Sequence, residues 1–120
     1  MGKHQLGEFE EVVMLTVAIL TNEAYGFSII EEMEKRLARR VSIGALQTVL
    51  RRLEKKGYLS SELGESTKVR GGKRKRFFTL TSSGKKVLQE TKDQRMGLWS
   101  AVPEFVFKFC YQFDIRGIRE

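Results

Sequence analysis

The chain has 120 residues, 41% hydrophobic and 31% charged, and its 22 Lys and Arg against 15 Asp and Glu leave a net charge of +7. That is apolar material for one domain with a real core, which excludes disorder as the default. The lone cysteine, Cys110, excludes an intramolecular disulfide, and with the single distant His4 it supplies neither a zinc set of the usual kind nor a Cys-His nucleophile pair.

No nucleophile elbow or Walker loop is present either, so neither an enzyme nor a cofactor nor a metal is expected. The opening "MGKHQLGEFEE" does not read as a signal peptide, and the apolar stretch 12–20 is too short to span a bilayer. The expectation is a soluble cytoplasmic protein without membrane contact.

In chain order, residues 8–20 carry apolar side chains most of the way round a helix, which predicts a buried one, with Glu8, Glu10 and Glu11 suiting its dipole. "TNEAYG" breaks that pattern. "FSIIEEMEKRL" predicts a second helix with Ile29, Ile30, Met33 and Leu37 inward, closed by Arg39 and Arg40. A third helix starts at Ser42 as N-cap, points Ile43, Leu46, Val49, Leu50 and Leu53 inward, and stops at Gly57.

"YLSSEL" and "RFFTL" then read as two strands, Phe78 and Leu80 sharing one face of the second. Six basic residues in the segment 68–76 lie between the strands, with Gly71 and Gly72 placed to turn the chain, so this basic run is a hairpin tip and not a tail. Thr81 caps a fourth helix, "SSGKKVLQETKDQRMGLWSAV", whose middle is polar. Pro103 ends it. In the aromatic tail Phe105, Phe109 and Phe113 fit a helix, while Phe105, Phe107, Phe109 and Tyr111 alternate as in a strand, so both conformations stay open.

The fold class is therefore mainly α with a small β-hairpin (α+β). Helix, helix, helix, hairpin, helix is the order of a winged helix-turn-helix, and the third helix is the candidate reader. Its outward face carries Gly44, Thr48, Arg51 and Lys55, with Gln47 and Arg52 on the flanks and Ser42 at its start. Arginine can fork onto guanine, glutamine can pair with adenine, and a glycine near the helix start lets a phosphate approach the backbone. The segment 39–76 holds a net charge of +9 while the rest of the chain sums to −2, which points to a polyanion face made of the third helix and the hairpin residues Lys73, Arg74, Lys75 and Arg76. Double-stranded DNA is the expected partner. A winged-helix module that binds protein without specific DNA binding is the alternative.

The stretches "YGFSIIEEME", "SIGALQTVLRRLEKKGYLSSELGE" and "GGKRKRFFTLTSSGKKVL" closely resemble the PadR family of winged-helix transcription regulators, over residues 6–88. The resemblance implies a dimeric bacterial repressor that pairs through helices flanking the winged-helix domain, with a recognition helix over residues 42–56 and a wing over 63–76. It implies, too, release from DNA by a small apolar or aromatic effector. Two departures stand out: Gln47 where the family often has tyrosine, and Phe77-Phe78 where it often has a tyrosine pair. The expected division is a DNA-binding domain over 1–80 and a dimerisation helix with aromatic tail over 81–120. An inverted-repeat operator and a homodimer through Leu98, Trp99, Val102, Phe105 and Phe109 follow from this arrangement; Trp99 is the candidate to stack on a flat effector, with plain packing in the core or interface as its alternative role.

Overall fold

The computed structural model describes residues 6–64 and 74–113, with side chains as far as Lys108. The predicted Gly71-Gly72 turn, Lys73 and the side chain of Phe109 lie outside the described residues. The chain divides into two compact units, Met1–Gln89 and Glu90–Glu120.

The first unit opens with helix α1 (Glu8–Leu20). Its first turn is held by the Gly7 N–H, which donates to Glu10 Oε1 at 2.9 Å. Val13, Met14 and Val17 are buried, whereas Leu15 and Ile19 are 45% and 47% exposed, so the helix is not sunk on all sides as its composition suggested. It packs against α2, α3 and the second strand on one side only. A short 3-10 turn, Thr21–Glu23, leads to α2 (Gly26–Leu37). Here the Ser28 hydroxyl accepts the Tyr25 N–H at 2.9 Å and donates to the Glu23 carbonyl at 2.7 Å, which pins the helix start. Ile29 and Met33 are buried, but Leu37, expected inward, is half exposed. The chain leaves the helix directly after it, through Ala38 in the left-handed region at φ 53°. The Arg39-Arg40 pair thus lies beyond the helix, and its last-turn cations are Lys35 and Arg36, both paired with Glu32.

Helix α3 (Ile43–Lys55) starts as its sequence predicts, with Ser42 Oγ accepting the Ala45 N–H at 3.1 Å. Leu46, Val49, Leu50 and Leu53 are buried; Ile43, assigned to the same stripe, is 41% exposed. At the far end Gly57 takes φ +84°, and the Tyr58 N–H reaches the Leu53 carbonyl at 3.0 Å. This is a Schellman termination, which needs a residue without Cβ penalty at that point.

Strands β1 (Leu59–Leu63) and β2 (Arg76–Leu80) pair antiparallel, Leu59 opposite Leu80 and Ser61 opposite Phe78. Phe78 is buried and its N–H donates to the Ala24 carbonyl at 2.8 Å, which ties the outer side of β2 to the link before α2. Thr81 then does three jobs. Its N–H donates to the Tyr58 carbonyl at 3.0 Å, its hydroxyl donates to the Gly57 carbonyl at 2.6 Å, and the same oxygen accepts the Gly84 N–H at 3.0 Å. The start of α4 (Ser82–Ala101) is thereby fixed on the end of α3. Gly84 and Val87 are buried there, and the core of the unit is Val13, Met14, Val17, Ile29, Met33, Leu46, Leu50, Leu53, Leu59 and Phe78 with their neighbours. Fully burying one such side chain stabilises by roughly 1.5–3 kcal/mol.

In the second unit, residues after Pro103 form a helix, α5 (Glu104–Phe113), and not a strand. The Trp99 and Phe107 rings lie 5.2 Å apart. No helix among the described residues is long and apolar enough to cross a membrane. Among the same residues, no group of three or more His, Cys, Asp or Glu could hold a metal ion.

One buried carboxylate links α1 to α3. Glu10 Oε2 accepts from Lys56 Nζ at 3.0 Å and lies 3.9 Å from Arg52 Nη1. Burial pushes its pKa up, but the Gly7 N–H and the Lys56 and Arg52 charges outweigh this and hold it below the usual range. A depressed carboxylate stabilises the fold at pH above its unfolded value of about 4.3, and that contribution fades as pH falls through the folded value. Glu10→Gln should therefore cost about 1 kcal/mol at pH 7 and lower the melting midpoint by several degrees. The gap to wild type should close below about pH 4 in a thermal-melt series. A gap that persists at pH 3 would show that the charge is not what matters.

Candidate nucleic-acid interface

The outward side of α3 is built from the spacing of its apolar stripe. Because Leu46, Val49, Leu50 and Leu53 are buried, Gly44, Gln47, Thr48, Arg51 and Lys55 are left exposed, as the helical period requires. A Cβ placed on Gly44 would meet nothing within 4 Å, so the first turn has open space over its backbone. Thr48 Oγ1 donates to the Gly44 carbonyl at 3.1 Å, which leaves its methyl and hydroxyl lone pairs outward. Arg51 and Lys55 have no ion-pair partner among the described residues, and Glu54, the one acid of the helix, is drawn aside by a 2.7 Å hydrogen bond from Ser61 Oγ. The face thus keeps two unneutralised cations one helical turn apart.

Not all the expected residues gather there. The guanidinium of Arg52 stands near Glu10, on the α1 side. Ser42 uses its oxygen on the helix cap.

The wing cations that are described are held in place. Arg74 Nε donates to the Gly64 carbonyl at 2.8 Å, across the base of the hairpin. Lys75 Nζ lies 4.3 Å from the centroid of the Tyr25 ring, and Arg76 Nη1 donates to Ser61 Oγ at 3.0 Å. Holding long side chains in this way lowers the entropy they would lose on contact with a polyanion. Arginine and lysine so placed keep their remaining N–H donors.

Two partners of the wing escaped the sequence. Tyr25 is the platform on which Lys75 rests, and it meets Phe77 edge-on with ring centroids 5.5 Å apart. Lys75, just before β2, and Phe77 within it are i and i+2 in extended chain, hence on one face, and that alternation was the available signal. The Glu54–Ser61–Arg76 chain joins residues far apart in sequence and had no local signature. In the second unit, Leu98, Trp99 and Phe105 are 71%, 61% and 69% exposed, and Val102 is half buried.

Three helices, a two-stranded hairpin with charged strand ends, and a helix locked back onto the third one make this a winged helix-turn-helix protein. The profile of the transcriptional regulator PadR-like family matches residues 14–90, and the chain belongs to that family. Members are DNA-binding regulators and not enzymes. A PadR-like transcription factor from Bacteroides fragilis is 31% identical, over 77% of this chain and 84% of that one, with a TM-score of 0.65. A PadR family transcriptional regulator from Eggerthella lenta is 27% identical, over 82% and 86%, with a TM-score of 0.63. A PadR-like regulator from Bacillus cereus shares the fold at 23% identity, over 77% and 84%, with a TM-score of 0.62. Among curated proteins, none matches this chain.

Proposed function

We propose that this protein is a transcriptional repressor that binds an inverted-repeat operator as a homodimer, with α3 in the major groove and the wing on the flanking backbone. The observation that carries the reading is the exposed face of α3, where Gln47, Thr48, Arg51 and Lys55 stand outward and no acid cancels the two cations. Arg51 would fork onto a guanine and Gln47 onto an adenine, while Lys55, a turn further along, would meet backbone. Ser42 and Gly44 would bring the helix start close to a phosphate, and Arg52 would add a backbone contact from the flank. Lys73, Arg74, Lys75 and Arg76 would fix position without reading much sequence.

The pairing of subunits is assigned to the second unit. Leu98, Trp99 and Phe105 are large apolar side chains left mostly in water, and a single chain has few reasons to keep them so. Val102 and Phe109 complete the proposed interface. For a flat aromatic effector, Trp99 beside Phe107 is the residue we assign, since stacked aromatic faces offer contact area of the right shape.

Two measurements test this reading together. Light scattering at micromolar concentration should give about twice 13.8 kDa. Footprinting on the genomic fragment the protein retains most tightly should show two protected half-sites about one helical turn apart. A stable monomer that protects a single site would defeat the dimeric repressor.

A further inference from the structure

Ile43 departs from the helix to which it belongs. By angle it falls with Leu50, seven residues on, in the stripe that faces the core, yet it is 41% exposed. Its covered side faces α2. The ideal Cβ position on Gly26 is 3.4 Å from Ile43 Cδ1 and 3.6 Å from Gln47 Nε2. These are ordinary contact distances, so the ends of the Ile43 and Gln47 side chains stand side by side over the start of α2. One side of the isoleucine is seated; the other is open. Because isoleucine is β-branched and within a helix, its side chain is stiff, so the exposed methyl surface is already in position.

We propose that Ile43 is a specificity-determining residue of the DNA interface, reading the C5-methyl group of a thymine. This rests on α3 being the reading helix. The first turn of such a helix is the part that meets base edges. Of the four bases, only thymine presents an apolar group in the major groove; the other edges there are hydrogen-bond donors and acceptors. An exposed apolar side chain flanked by Gln47 and, further along, by Arg51 and Lys55 has its natural complement in that methyl. The pairing with Gln47 sharpens the assignment. Glutamine's bidentate partner is adenine, so the thymine should lie within one base pair of the position where Gln47 matters, in an A/T-containing step.

The test uses the full-length protein and its tightest genomic fragment, with each thymine replaced in turn by deoxyuridine, which removes only the methyl group. Wild-type protein should lose about fourfold in affinity at one thymine per half-site, the scale of one buried methyl, and little elsewhere. Ile43→Ala should bind the thymine and uracil versions equally at that position while still discriminating at the guanine assigned to Arg51. Ile43→Val, which removes the Cδ1 methyl seated toward Gly26 and keeps the stiff β-branch, should retain most of the thymine preference. The wild-type scan needs no variant and so stands even if Ile43→Ala folds poorly. Indifference of wild type to every thymine would overturn the proposal, and so would a full uracil penalty retained by Ile43→Ala. If no fragment is preferred over random duplex, it is the DNA-reading function itself that fails, a result distinct from either of these.

Discussion

Arg51→Ala is expected to relax base preference at a single base pair in each half-site, at a cost of about 1–3 kcal/mol there. Lys55→Ala should instead weaken binding to all sequences by a similar factor. The two residues are exposed cations four positions apart on α3, and neither has an acid partner among the described residues. They differ in reach. The guanidinium fork fits two acceptors on one guanine, whereas the ammonium group is a point charge suited to phosphate. Arg51 also lies nearer the end of the helix that would enter the groove. A binding titration over an operator library, with each base pair varied in turn, separates the outcomes. An even loss across that library for Arg51→Ala would make it a positioning residue.

Gly84→Ala should have the largest effect on stability. A Cβ at this position would sit 2.2 Å from the Tyr58 carbonyl oxygen and 3.0 Å from its carbon, far inside contact distance and against backbone. The backbone there has little freedom to yield. The Tyr58 carbonyl accepts the Thr81 N–H, Thr81 holds Gly57, and Gly57 ends α3. Relief of the clash would push the first turn of α4 off the end of α3. We expect a loss of about 3 kcal/mol or more and a fall in the melting midpoint of more than about 10 °C. Gly44→Ala is the control: its Cβ meets nothing within 4 Å, and it should leave stability unchanged or raise it by about 0.5 kcal/mol. A melting midpoint for Gly84→Ala within 2 °C or so of wild type would show that the close approach is not needed.

The helices, caps and hairpin were legible because their signals are local. Ser42, Gly57 and Thr81 each act on groups within a few residues or at a chain reversal, and each does in the structure what its type suggests. Burial was read less well where packing ends. Leu15, Ile19, Leu37 and Ile43 obey the helical period, but periodicity says only which side a residue is on. It cannot say whether another element lies there to cover it. The exposed face of α3 was legible as the complement of its buried stripe. The supports of the wing were not, since Tyr25 under Lys75 and Glu54 behind Ser61 and Arg76 depend on which loops meet in space. The aromatic tail carried both periods at once, and it forms a helix.

The central claim is that α3 and the wing grip duplex DNA and choose among sequences. The most direct measurement is the affinity for the tightest genomic fragment and for random duplex of equal length, each over a series of salt concentrations. The account predicts that log affinity falls linearly with log salt for both, with a slope of several units, because the wing and Lys55 release counterions. It predicts as well that the selected fragment is bound about 1,000-fold or more tightly than random duplex at physiological salt. Equal affinity for the two duplexes, or binding that ignores salt, would contradict it.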